Sequence, residues 1–297
     1  MIKLIMHSDD FGLHAQINQA VIDAASKGVL SSASWMANGL AAEEALEAAT
    51  AIPSLGIGIH LNIVRGRPLS DPAEIPSLVD ARGRFFNSVG TLLRKSYLGQ
   101  LRDEDIHVEY RRQVRRMIGK GLVPTHFDGE KHTHIILPGS RRAVEKLRKE
   151  FDVQKVRTIS ERKLHTMLAA DGVSMSTSIR QHLKLIFLEH ASSQARKCWK
   201  NMKTPDLFFG VLSSSRLNSA EGLEALRAIL SLKISASVEW MLHPGYCDGL
   251  ARPDFISEFG SFFLLDARAK EAEFLLSDQV QEEIARNRDK LISYRDL

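Results

Sequence analysis

Asp9, Asp10, His60, Glu130 and His243 are residue types that hold divalent cations and move protons, and each follows a short apolar run that reads as a β-strand. Carboxylates and imidazoles gathered from separate strand ends suit a metal-dependent hydrolase, in which a cation and a proton shuttle must meet at one point. Adjacent aspartates point to opposite faces of a regular strand. Phe11 and Gly12, however, begin a turn that lets both reach one site, one on a metal and the other on a water. Taken alone, SDDFG serves equally well as a cap for the following helix.

A denser signal lies in HFDGEKHTH, where His126, Asp128, Glu130, His132 and His134 occupy even positions. A fully extended chain would put all of them on one face. Gly129 and the approach of Pro138 end the strand partway, so some of these residues must contact substrate or support ligands. His60 gains weight because it closes an apolar strand in the same arrangement. His243 has no neighbouring ligand spacing, which makes it a better general acid than metal ligand. His7, His14, His107, His165, His182 and His190 are expected at surface or helix positions.

These residues need rigid elements behind them. The apolar run at Lys3–Met6 is followed by helical spacing from Ile17 to Ser26. The strand candidate SSASWMANG precedes an alanine- and glutamate-rich helix over 41–51, and LGIGIHLN supplies another strand. Residues 65–87, rich in Pro, Gly and charge, read as a long ordered loop over the site. A charged helix over 103–120, the strand VPTHFD, a basic helix over 141–150 and the strand-like VQKVRT come next. A partly helical insertion around 160–203, a helix over 221–230, the strand SASVEWML and a helix over 278–290 complete the chain. Strand–helix alternation without a glycine-rich phosphate loop predicts an α/β fold, a distorted (β/α) barrel forming a single domain over 1–297. In such barrels the strands deliver side chains to their C-terminal rim, where all five opening residues fall.

The chain has 297 residues, 44% of them hydrophobic, ample for a large core. A net charge of +4 without an aromatic-interleaved basic motif gives no case for nucleic acid. Cys198 and Cys247 lack C-x-x-C spacing, so neither a disulfide framework nor a thiolate zinc site is indicated. The N-terminus runs straight into a strand, and no apolar stretch is long enough for stable membrane insertion. A cytoplasmic location is expected, with a homodimer as the default for a soluble enzyme.

Together SDDFG, SSASWMANG, GIGIHLN with the later GRPL, PTHFDGEKHTH, MLHPGY and the terminal SYRDL resemble the YdjC-like carbohydrate deacetylases, which act on chitooligosaccharides and hopanoid-linked sugars. The motifs occur in order along the whole chain, sparsely over 160–235. The resemblance implies a distorted barrel with one divalent metal, magnesium or zinc, hydrolysing the N-acetyl group of an amino sugar in a saccharide or glycolipid. By motif position it implies Asp10 and His60 as metal ligands, Asp9 as catalytic base and His243 as the acid that protonates the leaving amine.

This chain departs from the family at the third ligand, where Glu130 stands in place of a histidine. An Asp–His–Glu set is chemically competent, adds negative charge, and favours Mg²⁺ or Mn²⁺ over what two imidazoles would select, with zinc still accessible. His132 is the alternative third ligand, with Glu130 then supporting it. Asn38, Asp128, His132 and His134 are expected to contact substrate or orient ligands. Trp35 and Met36 fit sugar contacts or core packing equally. Two competing readings are another hydrolase such as a phosphoesterase on the same barrel, and a non-catalytic carbohydrate-binding relative.

Overall fold

The computed structural model describes residues 1–173, 177–213, 219–246, 253–260 and 266–297. Six strands form one parallel sheet in the order β4-β3-β2-β1-β6-β5. They are β1 (Ile2–Phe11), β2 (Ser32–Trp35), β3 (Gly56–Leu61), β4 (Phe127–Gly129), β5 (Leu207–Phe209) and β6 (Ala236–Leu242). Their near-continuous apolar sequences follow from burial on both faces, the inner by the barrel interior and the outer by helices.

The sheet curls until its edges share a neighbour. The amide of Arg157 donates to the Phe127 carbonyl of β4 at 2.9 Å, and the amide of Phe208 in β5 donates to the Ser160 carbonyl at 3.0 Å. Residues 154–160 thus stand where a seventh strand would close a distorted (β/α) barrel. VQKVRT falls here, held by isolated bridges rather than a regular ladder.

Helices cover the outside: α1 (Ala15–Ser26), α2 (Ala42–Thr50), α3 (Val89–Tyr97), α4 (Asp103–Gly119), α5 (Thr133–Ile136) and α6 (Pro138–Phe151), followed by α7 (Arg162–Ala170), α8 (Ile179–Cys198), α9 (Ser219–Ser231), α10 (Pro253–Phe259), α11 (Ala267–Leu276) and α12 (Asp278–Arg286). Helix α1 buries Ile17, Ala20, Val21 and Ala24, the 3.6-period stripe of its sequence. The stretch 160–203 is mostly helical, carrying α7 and α8, with residues 174–176 outside the described part. Cys198 is exposed, and Cys247 lies outside the described residues. Among the described residues no helix is long and apolar enough to cross a membrane.

Residues 65–87 contain no helix or strand beyond one isolated bridge, Val79 to Phe85. Buried carboxylates of α4 fix them: Glu109 accepts from the amides of Leu69 at 3.1 Å and Ser70 at 2.9 Å, and Asp105 from that of Ser77 at 2.9 Å. At the opposite end of the barrel the C-terminal residues dock on the strand starts, the amide of Ile292 donating to the Leu4 carbonyl at 2.9 Å.

Candidate metal and catalytic site

Strand β1 runs further than its apolar core suggests and contains both aspartates. Its register against β2 shifts between Ser8 and Phe11, and Asp10 adopts a left-handed φ of 64°. That local irregularity, followed by Gly12 at φ 97°, turns both carboxylates toward the barrel interior. The cap of α1 is His14, whose side chain accepts from the Gln16 amide, so neither aspartate serves as that cap.

Asp10, His60 and Glu130 have ligand atoms all within 4.8 Å of one another, and all three are buried. The His60 Nδ1 lies 2.9 Å from Asp128 Oδ1, and an ionised carboxylate only accepts, so Nδ1 carries the proton. Nε2 then turns its lone pair toward Glu130 Oε2 at 3.3 Å and Asp10 Oδ1 at 3.9 Å. Three acceptors face each other with no donor between them. A divalent cation fits that donor set, and in its absence a proton on His60 answers the same need. Burial alone pushes the His60 imidazole down, yet the Asp128, Glu130 and Asp9 carboxylates carry it well above its ordinary value.

The outer oxygens of Asp10 and Glu130 are held by guanidiniums. Arg65 Nε donates to Glu130 Oε1 at 2.6 Å, and Arg268 donates to Asp10 Oδ2. These contacts orient the ligands and offset the negative charge that a glutamate brings in place of an imidazole, which weakens the sequence argument for a harder cation. Burial pushes Glu130 up, but Lys131, His60 and Arg65 bring it well below the usual carboxylate range.

Asp9 sits beside this group. Both its oxygens accept from Arg157, Oδ1 from Nη2 at 2.6 Å and Oδ2 from Nη1 at 2.8 Å. Burial raises the Asp9 carboxyl, and Arg157 overrides it to hold the group ionised well below its ordinary value. His243 Nε2 lies 3.8 Å from Asp9 Oδ2, and its side chain is 17% exposed, the most open of these groups. Burial keeps the His243 imidazole below its ordinary value despite Asp9 and Glu271, so it is neutral at pH 7.

The even-numbered run from His126 to His134 does not stay on one face. Strand β4 stops at Gly129, and Lys131 and His132 take left-handed φ values of 50° and 58° before α5 begins. His126 stacks on Tyr294 with ring centroids 3.7 Å apart. An added Cβ at Gly58 would stand 2.4 Å from that His126 ring, which explains a glycine in the middle of β3. Asp128 holds His60. His134 Nε2 bonds the Arg157 carbonyl at 3.1 Å while its ring stacks on Trp199. His132 is buried with no hydrogen bond at Nδ1, and it belongs to none of the ligand groupings among the described residues.

Asn38 donates from its amide nitrogen to the carbonyls of Arg65 and Arg67, both at 3.0 Å, and its oxygen accepts from Asn62 Nδ2 at 2.8 Å, so it pins the 65–87 loop. Trp35 and Met36 are fully buried core residues. The expectation that His7 lies at the surface is overturned: it is fully buried in β1, 3.3 Å from Asp9 and 3.4 Å from Asp128, because the strand extends inward past the apolar run. Sequence reasoning also passed over Arg157 and Glu239, both fully buried and 2.8 Å apart. Their signal was a charged residue inside VQKVRT and inside SVEWML, runs otherwise fit for a buried strand.

A family profile described as YdjC-like protein matches residues 3–286. A carbohydrate deacetylase of Clostridium beijerinckii is 27% identical over 296 residues, covering all of both chains. One from Geobacillus stearothermophilus is 37% identical over 166 residues, 55% of this chain and 63% of its own. Among solved structures, an Enterococcus faecalis protein named for cellobiose-phosphate cleavage superposes with a TM-score of 0.72 at 20% identity, over 99% of this chain and 98% of that one. At that identity the likeness concerns the fold alone.

Proposed function

The chain belongs to the YdjC-like family, and from that membership we propose that it is a metal-dependent carbohydrate deacetylase, removing the N-acetyl group of an amino sugar carried by an oligosaccharide or glycolipid. The observation that carries the reading is the convergence of Asp10, His60 and Glu130 on one point beside Asp9 and His243. Asp10, His60 and Glu130 would hold one divalent cation, Mg²⁺, Zn²⁺ or Mn²⁺. When bound, it supplies polarisation of the acetyl carbonyl and a lowered pKa for water.

Asp9, held as a carboxylate, takes the proton of the attacking water. Its Oδ2 has a lone pair outside the Arg157 contact and faces His243 Nε2 at 3.8 Å. A neutral His243 is able to receive that proton and deliver it to the departing amine, which must be protonated to leave. Its partial exposure gives it contact with substrate that the buried Asp9 lacks. Each guanidinium at the centre, Arg65, Arg157 and Arg268, is engaged by a carboxylate. That is an arrangement for orienting ligands, and it favours an amide substrate over a phosphoester.

Acetate release across a panel of N-acetylated saccharides and glycolipids, run beside metal analysis of the purified protein, tests the reading. The expected result is acetate from at least one of them and one divalent metal per chain. Phosphate release from phosphorylated sugars without any acetate would sink it.

A further inference from the structure

The terminal SYRDL segment has no part in the chemistry above, yet its tyrosine reaches the catalytic layer from the far end of the barrel. We propose that Tyr294 is a positioning residue for Asp9, acting through a buried relay from Tyr294 to Glu239 to Arg157 to Asp9; the proposal rests on the deacetylase reading with Asp9 as base.

Tyr294 is fully buried, its amide donating to Ser32 Oγ at 3.0 Å and its hydroxyl to Glu239 Oε2. Glu239 lies midway along β6, opposite Ile5 of β1, below the rim. Its other oxygen, Oε1, accepts from Arg157 Nε at 2.8 Å and stands 2.7 Å from Nη2. A buried carboxylate is tolerated only where its oxygens are matched by donors. Arg157 serves one oxygen and Tyr294 the other.

The guanidinium is a rigid plane with donors along two edges. Fixing its Nε edge on Glu239 sets the plane in which Nη1 and Nη2 meet the two oxygens of Asp9. Asp128 joins the same fork, its Oδ2 3.0 Å from Nη2. If Tyr294 loses its hydroxyl, Glu239 Oε2 loses that donor, and the carboxylate is free to turn. The fork then tilts and takes with it the Asp9 oxygen that faces His243. Small misplacements of a reacting group are costly in rate even when the fold is intact.

The docking of the tail does not depend on that hydroxyl. Arg295 bonds the carbonyls of Pro53 and Leu55, Ser293 and Asp296 cap one another, and Ile292 is bonded to Leu4. Removing one oxygen therefore separates orientation from attachment.

In the metal-loaded enzyme, Tyr294→Phe is expected to lower kcat by about tenfold with KM and metal affinity within about twofold, the pattern of a lost transition-state arrangement. Arg295→Ala is the control, expected to lower Tm and leave kcat unchanged. In a Glu239→Gln background, Tyr294→Phe should cost less than about threefold further, since both changes act on one path. Fully additive losses, or an unchanged kcat in Tyr294→Phe, would overturn the relay. The Arg157 Nε–H resonance, assigned with Arg157→Lys, gives a readout that needs no turnover: it should move in Tyr294→Phe. An unmoved resonance overturns the relay whether or not the wild type releases acetate, and so separates it from the deacetylase reading.

Discussion

Two buried charge clusters share the barrel interior, and they are built on opposite principles. At the rim, Asp10, His60 and Glu130 turn acceptors toward one another. One layer below, Arg157 is surrounded by Asp9, Asp128 and Glu239, with Tyr294 closing the last carboxylate. Arg157 balances the carboxylates of the lower cluster from within the chain, whereas the upper one presents acceptors that the proposed cation would complete. Buried charge is tolerated where an opposite charge or a donor meets it: in the lower cluster Arg157 does most of this, although both ring nitrogens of His7 and Asp128 Oδ2 make no hydrogen bond, and at the rim the proposed cation would do it.

The largest expected effect separates chemistry from ligation. Asp9→Asn should retain the metal and lose about 10²–10⁴-fold in kcat, the usual contribution of a positioned proton acceptor. Steady-state kinetics with metal analysis checks this, and near-normal turnover would remove Asp9 from that role. Next is the stability of the lower cluster. Arg157→Met leaves three carboxylates without their shared cation, and a loss of about 3–5 kcal/mol is expected for breaking such a buried network. Denaturant unfolding measures it; a loss under about 1 kcal/mol would mean the cluster relaxes or takes up protons without strain.

Metal addition sharpens the contrast. Saturating cation at about a hundred times Kd should stabilise the wild type by about 2.7 kcal/mol. Glu130→Ala should lose most of that increment and Tyr294→Phe should keep it, as read by Tm with and without metal. An increment in Glu130→Ala equal to the wild type's would move the third ligand elsewhere, with His132 the nearest alternative by sequence.

The rim, with Asp9 and Asp128 beside it, was legible in the sequence and the Arg157, Glu239 and Tyr294 part of the lower cluster was not, for a physical reason. Asp10, His60 and Glu130 are polar residues at the ends of apolar strands, so a linear pattern marks them. His60 and Asp128, register partners in adjacent strands, stay close because β3 and β4 pair there. Arg157 meets Asp9 across 148 positions, and Tyr294 meets Glu239 across 55. No local pattern records such partners, and the segment that carries Arg157 lacks a regular ladder. His7 was missed because β1 continues past its apolar residues into the polar interior. The barrel itself was readable from strand and helix alternation and the end of β4 from Gly129, while the two left-handed residues that follow, Lys131 and His132, and so the separate directions taken by Glu130, His132 and His134, are marked by no periodicity.

The smallest effect concerns a group at the border of the two clusters. Burial holds the His134 imidazole down at about 4, against the reference of 6.5 expected in the unfolded chain. The unfolded state therefore takes up a proton below pH 6.5 that the folded state refuses until about 4, so His134 withdraws stability progressively as pH falls through that window and has no such effect above it. His134→Gln keeps a donor for the Arg157 carbonyl and removes the titration. At pH 7.5 the variant should be less stable than the wild type, having lost the stacking on Trp199. As pH is lowered toward 5 the gap should narrow by about 1–2 kcal/mol. Chemical denaturation at the two pH values measures it, and a gap that stays constant would show that the folded protein protonates His134 as readily as the unfolded chain does.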